Sequence, residues 1–426
     1  MFILLTFLLL SHKKMFYLLI ISIFITEFFW IKIGEGIFRI SYFLSIVVLL
    51  GFLLLHTQKT LLYLSKSKLI LLMFSFLLYN FFLILFGVIN KPASLFSFGL
   101  LIIMVTFTIN FYLFLRIYKE EQRFLKFLAF SSLIAIVFGL LQYAIFTLFG
   151  KPLTFTSTQS VNILFNKRIT SFFTEGDTFG KNIMVITLLL LPFVYKKQKT
   201  KIKTERTFKW SHYIFALYVL TLALNSTRSA IAGFFAGLIV LFYLILINKK
   251  GKLLFLKTLM NFIVIISLTV GTLLISGHLS FLTQRLSSIL AIKKTLQTDA
   301  SAVFRYQNTI EPLKKFVKSG PKNILLGSGW TTIKTEFGEF RLEMTSNIFV
   351  TFFIYSGLLG LFLFLLIILK TFRTFYVTYK KKSSYLALGG LLSLTGALAA
   401  SQMAPMTLAP EFWMLFGIAS YLETTL

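Results

Sequence analysis

The chain has 426 residues, of which 57% are hydrophobic, with a mean hydropathy of +0.85 and a formal charge of +29. That apolar fraction exceeds the soluble range, and most of the lysines and arginines stand in short gaps between apolar runs, where they set membrane topology, so the charge does not point to nucleic acid. With no cysteine and only His12, His56, His212 and His278, scattered along the chain, disulfides and thiolate metal sites are excluded and no zinc centre is expected.

A helix satisfies its own backbone hydrogen bonds in lipid, and about 20 apolar residues cross about 30 Å of hydrocarbon. Runs of that size predict about twelve spans, near 15–31, 40–55, 69–88, 94–115, 124–148, 178–195, 211–226, 229–247, 256–275, 345–369, 385–402 and 408–424. Residues 1–10 lack the leading positive charge of a signal peptide, since Lys13 and Lys14 follow the apolar run. They read as an upstream extension, with Met15 as an alternative start.

Lysine and arginine are retained on the cytoplasmic side. This places inside Lys13 and Lys14, the 56–68 gap, Arg116–Arg123, Lys196–Lys209, Lys249–Lys252 and Lys370–Lys382, and makes both termini cytoplasmic. Outside fall the Gly34–Gly36 gap, the Asn90–Pro92 turn, a 150–177 loop, the Asn225–Ser229 corner, the segment 276–344 and the Met403–Pro405 corner. The expected fold is an all-α polytopic membrane protein, one integral-membrane domain over 1–426, whose long external loop caps the site. Within that loop 279–296 and 303–317 have helical apolar spacing, Gly320-Pro321 stops the second helix, and Gly327-Ser328-Gly329 forms a turn. A solvated connector fits the same pattern.

Four stretches carry candidate chemistry. Asn225-Ser226-Thr227-Arg228-Ser229-Ala230 puts an arginine at an external corner. A snorkelling side chain accounts for it, and so does phosphate recognition, to which a guanidinium is suited. Arg168 precedes the sixth span with Glu175 and Asp177 close behind, in a chain with only 14 acidic residues; capping of the helix is the competing role for Asp177. Arg305 lies on the amphipathic helix of the long loop. Glu343-Met344-Thr345-Ser346-Asn347 runs into Tyr355-Ser356-Gly357-Leu358-Leu359-Gly360, where Asn347 as a cap and the glycines as packing contacts are the bland alternatives.

In this order the pieces resemble the O-antigen polymerase and O-antigen ligase superfamily. The match is an Arg168-x-x-Ser171-Phe172 loop before a helix, the Ser226-x-Arg228-Ser229-Ala230 corner, an external loop with Arg305 and Leu325-Leu326-Gly327-x-Gly329, then Ser346-Asn347 ahead of Tyr355-x-Gly357-Leu358-Leu359-Gly360. It covers roughly residues 160–370. The resemblance implies a membrane glycosyltransferase that uses an undecaprenyl-pyrophosphate-linked oligosaccharide, without nucleotide sugar, metal or other cofactor, at the outer face of the bacterial inner membrane. It implies as partners membrane lipid, a chain-length regulator and a flippase. It also implies that Arg168, Arg228 and Arg305 are the outer-face arginines, which would bind the pyrophosphate and stabilise the charge that grows as the glycosidic bond breaks. Where the ligases carry a histidine before the asparagine this chain has Ser346, which cannot take a proton at neutral pH without its own base. That favours a polymerase acting on a second lipid-linked repeat unit, with Glu343 as the expected base and Glu175 and Asp177 as rivals.

Two further classes stay open. A ligase would move finished glycan to another acceptor, and a flippase would show related halves and charges lining a cavity. No such repeat is visible, and Glu27 is the clearest acidic residue deep in an expected span.

Overall fold

The computed structural model describes residues 11–25, 30–33, 36–87, 91–151, 153–154, 169–173, 176–194, 205–247, 271, 283, 300–329, 332–334, 340–342, 345–404 and 406–426. In chain order the elements are α1 (His12–Phe24), β1 (Trp30–Ile33), β2 (Gly36–Arg39), α2 (Ile40–Leu55), α3 (Thr57–Lys66), α4 (Lys68–Gly87), α5 (Lys91–Tyr118), α6 (Glu121–Phe149), α7 (Gly176–Val194) and α8 (Glu205–Asn225). Then follow α9 (Arg228–Ile247), α10 (Ala300–Lys318), α11 (Pro321–Leu326), β3 (Thr332–Lys334), β4 (Phe340–Leu342), α12 (Ile348–Lys382), α13 (Tyr385–Ala400) and α14 (Pro410–Thr425). The strands form two antiparallel hairpins, β1 with β2 and β3 with β4. Everything else of regular structure is helical, and among the described residues six helices are long and apolar enough to cross a membrane, or seven if α2 and α3 count as one bent span. This is the make-up of a polytopic membrane protein. Helices stand at each of the expected span positions except 256–275, where, as in the expected 279–296 helix, a single residue is described, 271 and 283 respectively; Glu27 lies outside the described residues.

The chain forms two compact units. Unit 1 comprises Met1–Leu128, Ala300–Thr378 and Ser401–Leu426; unit 2 comprises Ala129–Asp299 and Tyr379–Ala400. In unit 1, α5 is central, and α14 packs along it: Thr108 Oγ1 donates to Trp413 O at 2.9 Å, and a Cβ on Gly417 would fall 2.6 Å from Thr108 O. Between helices in lipid there is no hydrophobic driving force, so association depends on close packing and hydrogen bonds of this kind. In unit 2, α7, α9 and α13 meet along small residues. A Cβ on Gly233 would fall 2.5 Å from Gly396 O, and Ser393 Oγ donates to Val185 O at 2.9 Å.

Ends that the charge pattern puts on one side of the membrane touch one another in unit 1. Lys13 pairs with Glu120 at 2.5 Å and Lys370 with Glu423 at 2.8 Å. Ser67 Oγ donates to Glu423 at 3.1 Å, and the Tyr421 hydroxyl donates to Glu121 at 2.6 Å.

Four local features depart from the sequence reading. The first helix ends at Phe24, short of the expected 31, and the chain then turns through the β1–β2 hairpin. The 56–68 gap is itself a helix, α3, bent by 109° from α2. The tenth helix is not continuous: Gly357, at φ 64° and ψ −169°, breaks α12. That helix also extends through the basic run to Lys382, which was expected as a cytoplasmic gap.

Candidate functional site

The site in unit 2 begins with the segment before α7. Gln142 on α6 treats Ser171 as a strand neighbour would: its Oε1 accepts the Ser171 N–H at 2.7 Å, and its Nε2 donates to Leu153 O at 2.9 Å and Ser171 O at 3.3 Å. Ser171 Oγ donates to Ala135 O at 2.6 Å, and Phe172 stacks on Phe138 at 4.2 Å. These bonds hold Ser171 at a left-handed φ of 55° and bury Ile169 to Phe173, although the segment has no regular structure. Buried irregular backbone requires such partners for its polar groups.

The corner between α8 and α9 closes on the same segment. Asn225 Nδ2 donates to Ile169 O and to Gly176 O, both at 2.8 Å, and Thr227 Oγ1 reaches Gly176 O at 3.3 Å. Gly180 makes the approach possible, since a Cβ there would fall 2.1 Å from Asn225 Oδ1. Ser226, at φ 53°, turns the chain so that α9 starts at Arg228. Ser229 Oγ then donates to Asp177 Oδ1 at 2.9 Å, and Asp177 Oδ2 takes Lys181 Nζ at 3.0 Å. The Arg228 side chain is half-buried and its Nε is shielded from solvent.

Two of the four candidate stretches, about fifty residues apart in sequence, therefore meet at one place. The described charges there are two cations, Arg228 and Lys181, against the single carboxylate of Asp177. Two helix starts, at Gly176 and Arg228, add their positive dipole ends. Such an arrangement favours an anionic ligand. Arg168 and Glu175 lie outside the described residues.

Unit 1 carries the other stretches. Arg305 sits half-buried on α10, which is fixed by Phe316, edge-on to Phe353 of α12 at 5.1 Å. Asn347 caps α12: its Oδ1 accepts the N–H of Phe349 at 2.9 Å and of Val350 at 3.2 Å, while its Nδ2 donates to Gln402 Oε1 at 2.7 Å. Ile348 N–H donates to Ser401 O at 3.0 Å, so the 345–348 and 401–402 segments lie together. Ser346 stands at the bend between them and the helix. Glu343 lies outside the described residues.

The two glycine motifs interlock. The Ser328 and Gly329 N–H groups donate to the carbonyls of Ile354 and Tyr355 at 2.8 and 3.0 Å, and the Tyr79 hydroxyl lies 2.9 Å from Ser356 O and 3.2 Å from Leu326 O. These bonds satisfy the carbonyls that the break at Gly357 would leave orphaned. A Cβ on Gly357 would fall 2.4 Å from Leu325 O, and one on Gly327 would fall 2.3 Å from Tyr355 O.

Reading by sequence missed Lys181 and Gln142, and named Asn225 only as the start of the Arg228 corner. Lys181 and Glu411, 7% and 3% exposed, are the two buried residues of the Lys, Arg, Asp and Glu types among the described residues. Lys181 had a signal, a lysine four residues after Asp177 inside an apolar run, which puts both on one helix face. Compared with known proteins, the chain matches neither a protein-family profile nor a curated sequence.

Proposed function

We propose that this chain is a polymerase of bacterial surface polysaccharide, set in the inner membrane by about twelve spans with both termini cytoplasmic and its site facing outward. The observation that carries the reading is the junction of the Ile169–Asp177 segment with the Asn225–Ser229 corner, which gathers Arg228, Lys181 and Asp177. Adding to it are the contacts among ends expected on the cytoplasmic side and the interlock between the Gly327 and Gly357 motifs. The motifs resemble those of O-antigen polymerases and ligases.

The reaction runs at the anomeric carbon of a glycan held on undecaprenyl pyrophosphate. An acceptor hydroxyl from a second lipid-linked repeat attacks that carbon, the bond to the pyrophosphate oxygen breaks, and its electron pair leaves on the pyrophosphate. By the resemblance, Arg228 and Arg305 are assigned to this leaving group, whose growing charge a guanidinium stabilises. The same resemblance assigns Arg168 and Asn347 to substrate binding and Ser346 to the acceptor. Glu343 or Glu175 takes the hydroxyl proton. Asp177 is engaged with Ser229 and Lys181, so it is a counter-ion before it is a base.

The test is the size profile of lipid-linked and surface glycan in deletion cells, restored with wild type, Arg228→Ala or Arg305→Ala. Single repeats on the outer side, with the long ladder returning only with wild type, is the expected result. Long polymer stranded on the lipid carrier would identify a ligase, and repeats trapped on the cytoplasmic face would identify a flippase.

A further inference from the structure

α3 follows α2 after His56 and runs at 109° to it, a little past a right angle. The axis of an apolar helix such as α2 stands near the membrane normal, within an ordinary tilt of about 20°, so α3 lies along the surface at its end. One face of α3 is fixed to its own unit. Thr60, its one buried residue, donates through Oγ1 to Phe52 O at 3.0 Å. The Tyr112 hydroxyl of α5 donates to Tyr63 O at 2.7 Å, and the Arg116 guanidinium lies 5.2 Å from the Tyr63 ring. The opposite stripe is Lys59, Leu62 and Lys66, at steps of three and four residues, and all three are exposed. Leu61 beside it is exposed too, as are Leu54 and Leu55 at the end of α2. The carboxylates described at this end are already engaged: Glu120 with Lys13 and Arg123, Glu121 with Tyr421, Glu423 with Lys370 and Ser67. Lys59, Lys66 and the exposed Lys68 have no ion pair or side-chain hydrogen bond among the described residues. Water suits such lysines but not the leucines between them. A negatively charged lipid surface suits both, because lysine stems lie along apolar surface while their heads reach phosphate.

We propose that α3 is a surface-lying helix that binds anionic phospholipid, with Leu61 and Leu62 entering the acyl boundary and Lys59, Lys66 and Lys68 holding headgroup phosphates. The leaflet is the one at the end of unit 1 where Lys13 and Lys370 stand, which the charge pattern expects to be cytoplasmic. The proposal needs only that α2 crosses the membrane and is independent of the polymerase reading. Through Tyr63, held by Tyr112 and Arg116, the site ties the central helix α5 to the lipid surface.

The experiment uses the absence of cysteine. Leu62→Cys, and Leu50→Cys deeper in α2 as the reference, carry a bimane label in the full-length chain. Each is placed in phosphatidylcholine nanodiscs containing a small, equal share of nitroxide-labelled phosphatidylglycerol or nitroxide-labelled phosphatidylcholine. At position 62 the labelled phosphatidylglycerol should quench roughly threefold more strongly than the labelled phosphatidylcholine, and at position 50 the two should quench alike. The preference at 62 should fade at high salt, which screens exposed charge. Replacing Lys59, Lys66 and Lys68 together by glutamine should bring the ratio at 62 to that at 50, and replacing them by arginine should keep it. Exposed lysines of this kind contribute little to folding, and unchanged quenching at 50 is the control for it. No quenching at 62 by either lipid would put α3 in water, open to an acidic protein partner, and overturn the proposal. Equal quenching by both lipids in the otherwise unaltered chain would overturn the anionic assignment. A preference that survives the glutamine variant would overturn the lysines as its ligands.

Discussion

Asn225 joins two chain segments through one amide group. Its Nδ2 satisfies Ile169 O and Gly176 O, and its Oδ1 presses on the Cα of Gly180. Asn225→Ala should strand the buried carbonyl of Ile169, leave Gly176 O only the longer bond from Thr227 Oγ1, and lower stability by about 1–3 kcal/mol. Gly180→Ala should cost a similar amount by clashing with the amide oxygen. Because both act on one contact, the double variant should be clearly less destabilised than the sum of the singles. Thermal unfolding of the purified chain in detergent checks this, and strict additivity would show that Gly180 and Asn225 do not depend on each other. At the far end of the residue scale lies Glu120, beyond the spans. The Lys13 hydrogen bond is the main cause that holds its carboxyl below the ordinary value of 4.5. A carboxyl held low contributes stability above its unfolded value, and that contribution is lost as pH falls through the lower folded value. Melting temperature measured from pH 6 to pH 3 should therefore fall more steeply for wild type than for Glu120→Gln. Superimposable slopes would mean that the pair adds nothing in water, as many surface pairs do not.

At the scale of elements, the break in α12 is held from outside the helix. Gly357 takes a backbone conformation that side chains rarely adopt, and Gly327 passes so close that neither residue has room for a Cβ. Gly357→Ala and Gly327→Ala should each combine backbone strain of about 1–3 kcal/mol with a steric clash. Tyr79→Phe removes only one hydroxyl from the same joint and should cost about 1 kcal/mol. Ranking the three variants by the amount of protein that accumulates in membranes and by melting temperature tests the interlock; a tyrosine variant as damaging as the glycine ones would put the weight on Tyr79 instead. The same joint shows what was legible in the sequence. Helix positions such as 40–55 or 229–247 follow from the length of an apolar run, a local property. The break at Gly357 depends on a partner thirty residues earlier, and 345–369 is apolar enough on both sides of it to read as one helix. Likewise Arg228 and Asp177 could be named one at a time, but that their segments meet depends on Asn225, whose two acceptors lie 49 and 56 residues away. Gln142 was invisible for the same reason, an ordinary polar residue in an apolar helix until Ser171 is laid against it.

At the scale of the whole molecule, the proposed external catalysis depends on orientation, and the chain is well suited to testing it because it contains no cysteine. Each introduced thiol would report one position without background. Tyr306 and Gln402 are exposed and belong to stretches expected outside; Lys14 and Lys381 are exposed and belong to basic stretches expected inside. Their single cysteine variants, treated in intact spheroplasts with a membrane-impermeant maleimide, should divide into two pairs. Tyr306→Cys and Gln402→Cys should label at once, and Lys14→Cys and Lys381→Cys only after the membrane is opened. Lys381 and Gln402 flank α13, whose 16 residues span about 24 Å at 1.5 Å per residue. That is shorter than the hydrocarbon layer of about 30 Å. Labelling of those two on opposite faces would establish that the segment nevertheless crosses, with the bilayer thinned or the ends extended around it. The reverse pattern for all four positions would put Arg305 in the cytoplasm, where a lipid-linked glycan awaiting polymerisation is not found, and the polymerase reading would have to be given up. Lys381 and Gln402 on the same face would remove α13 from the spans, and with it the even number of crossings that keeps both termini inside.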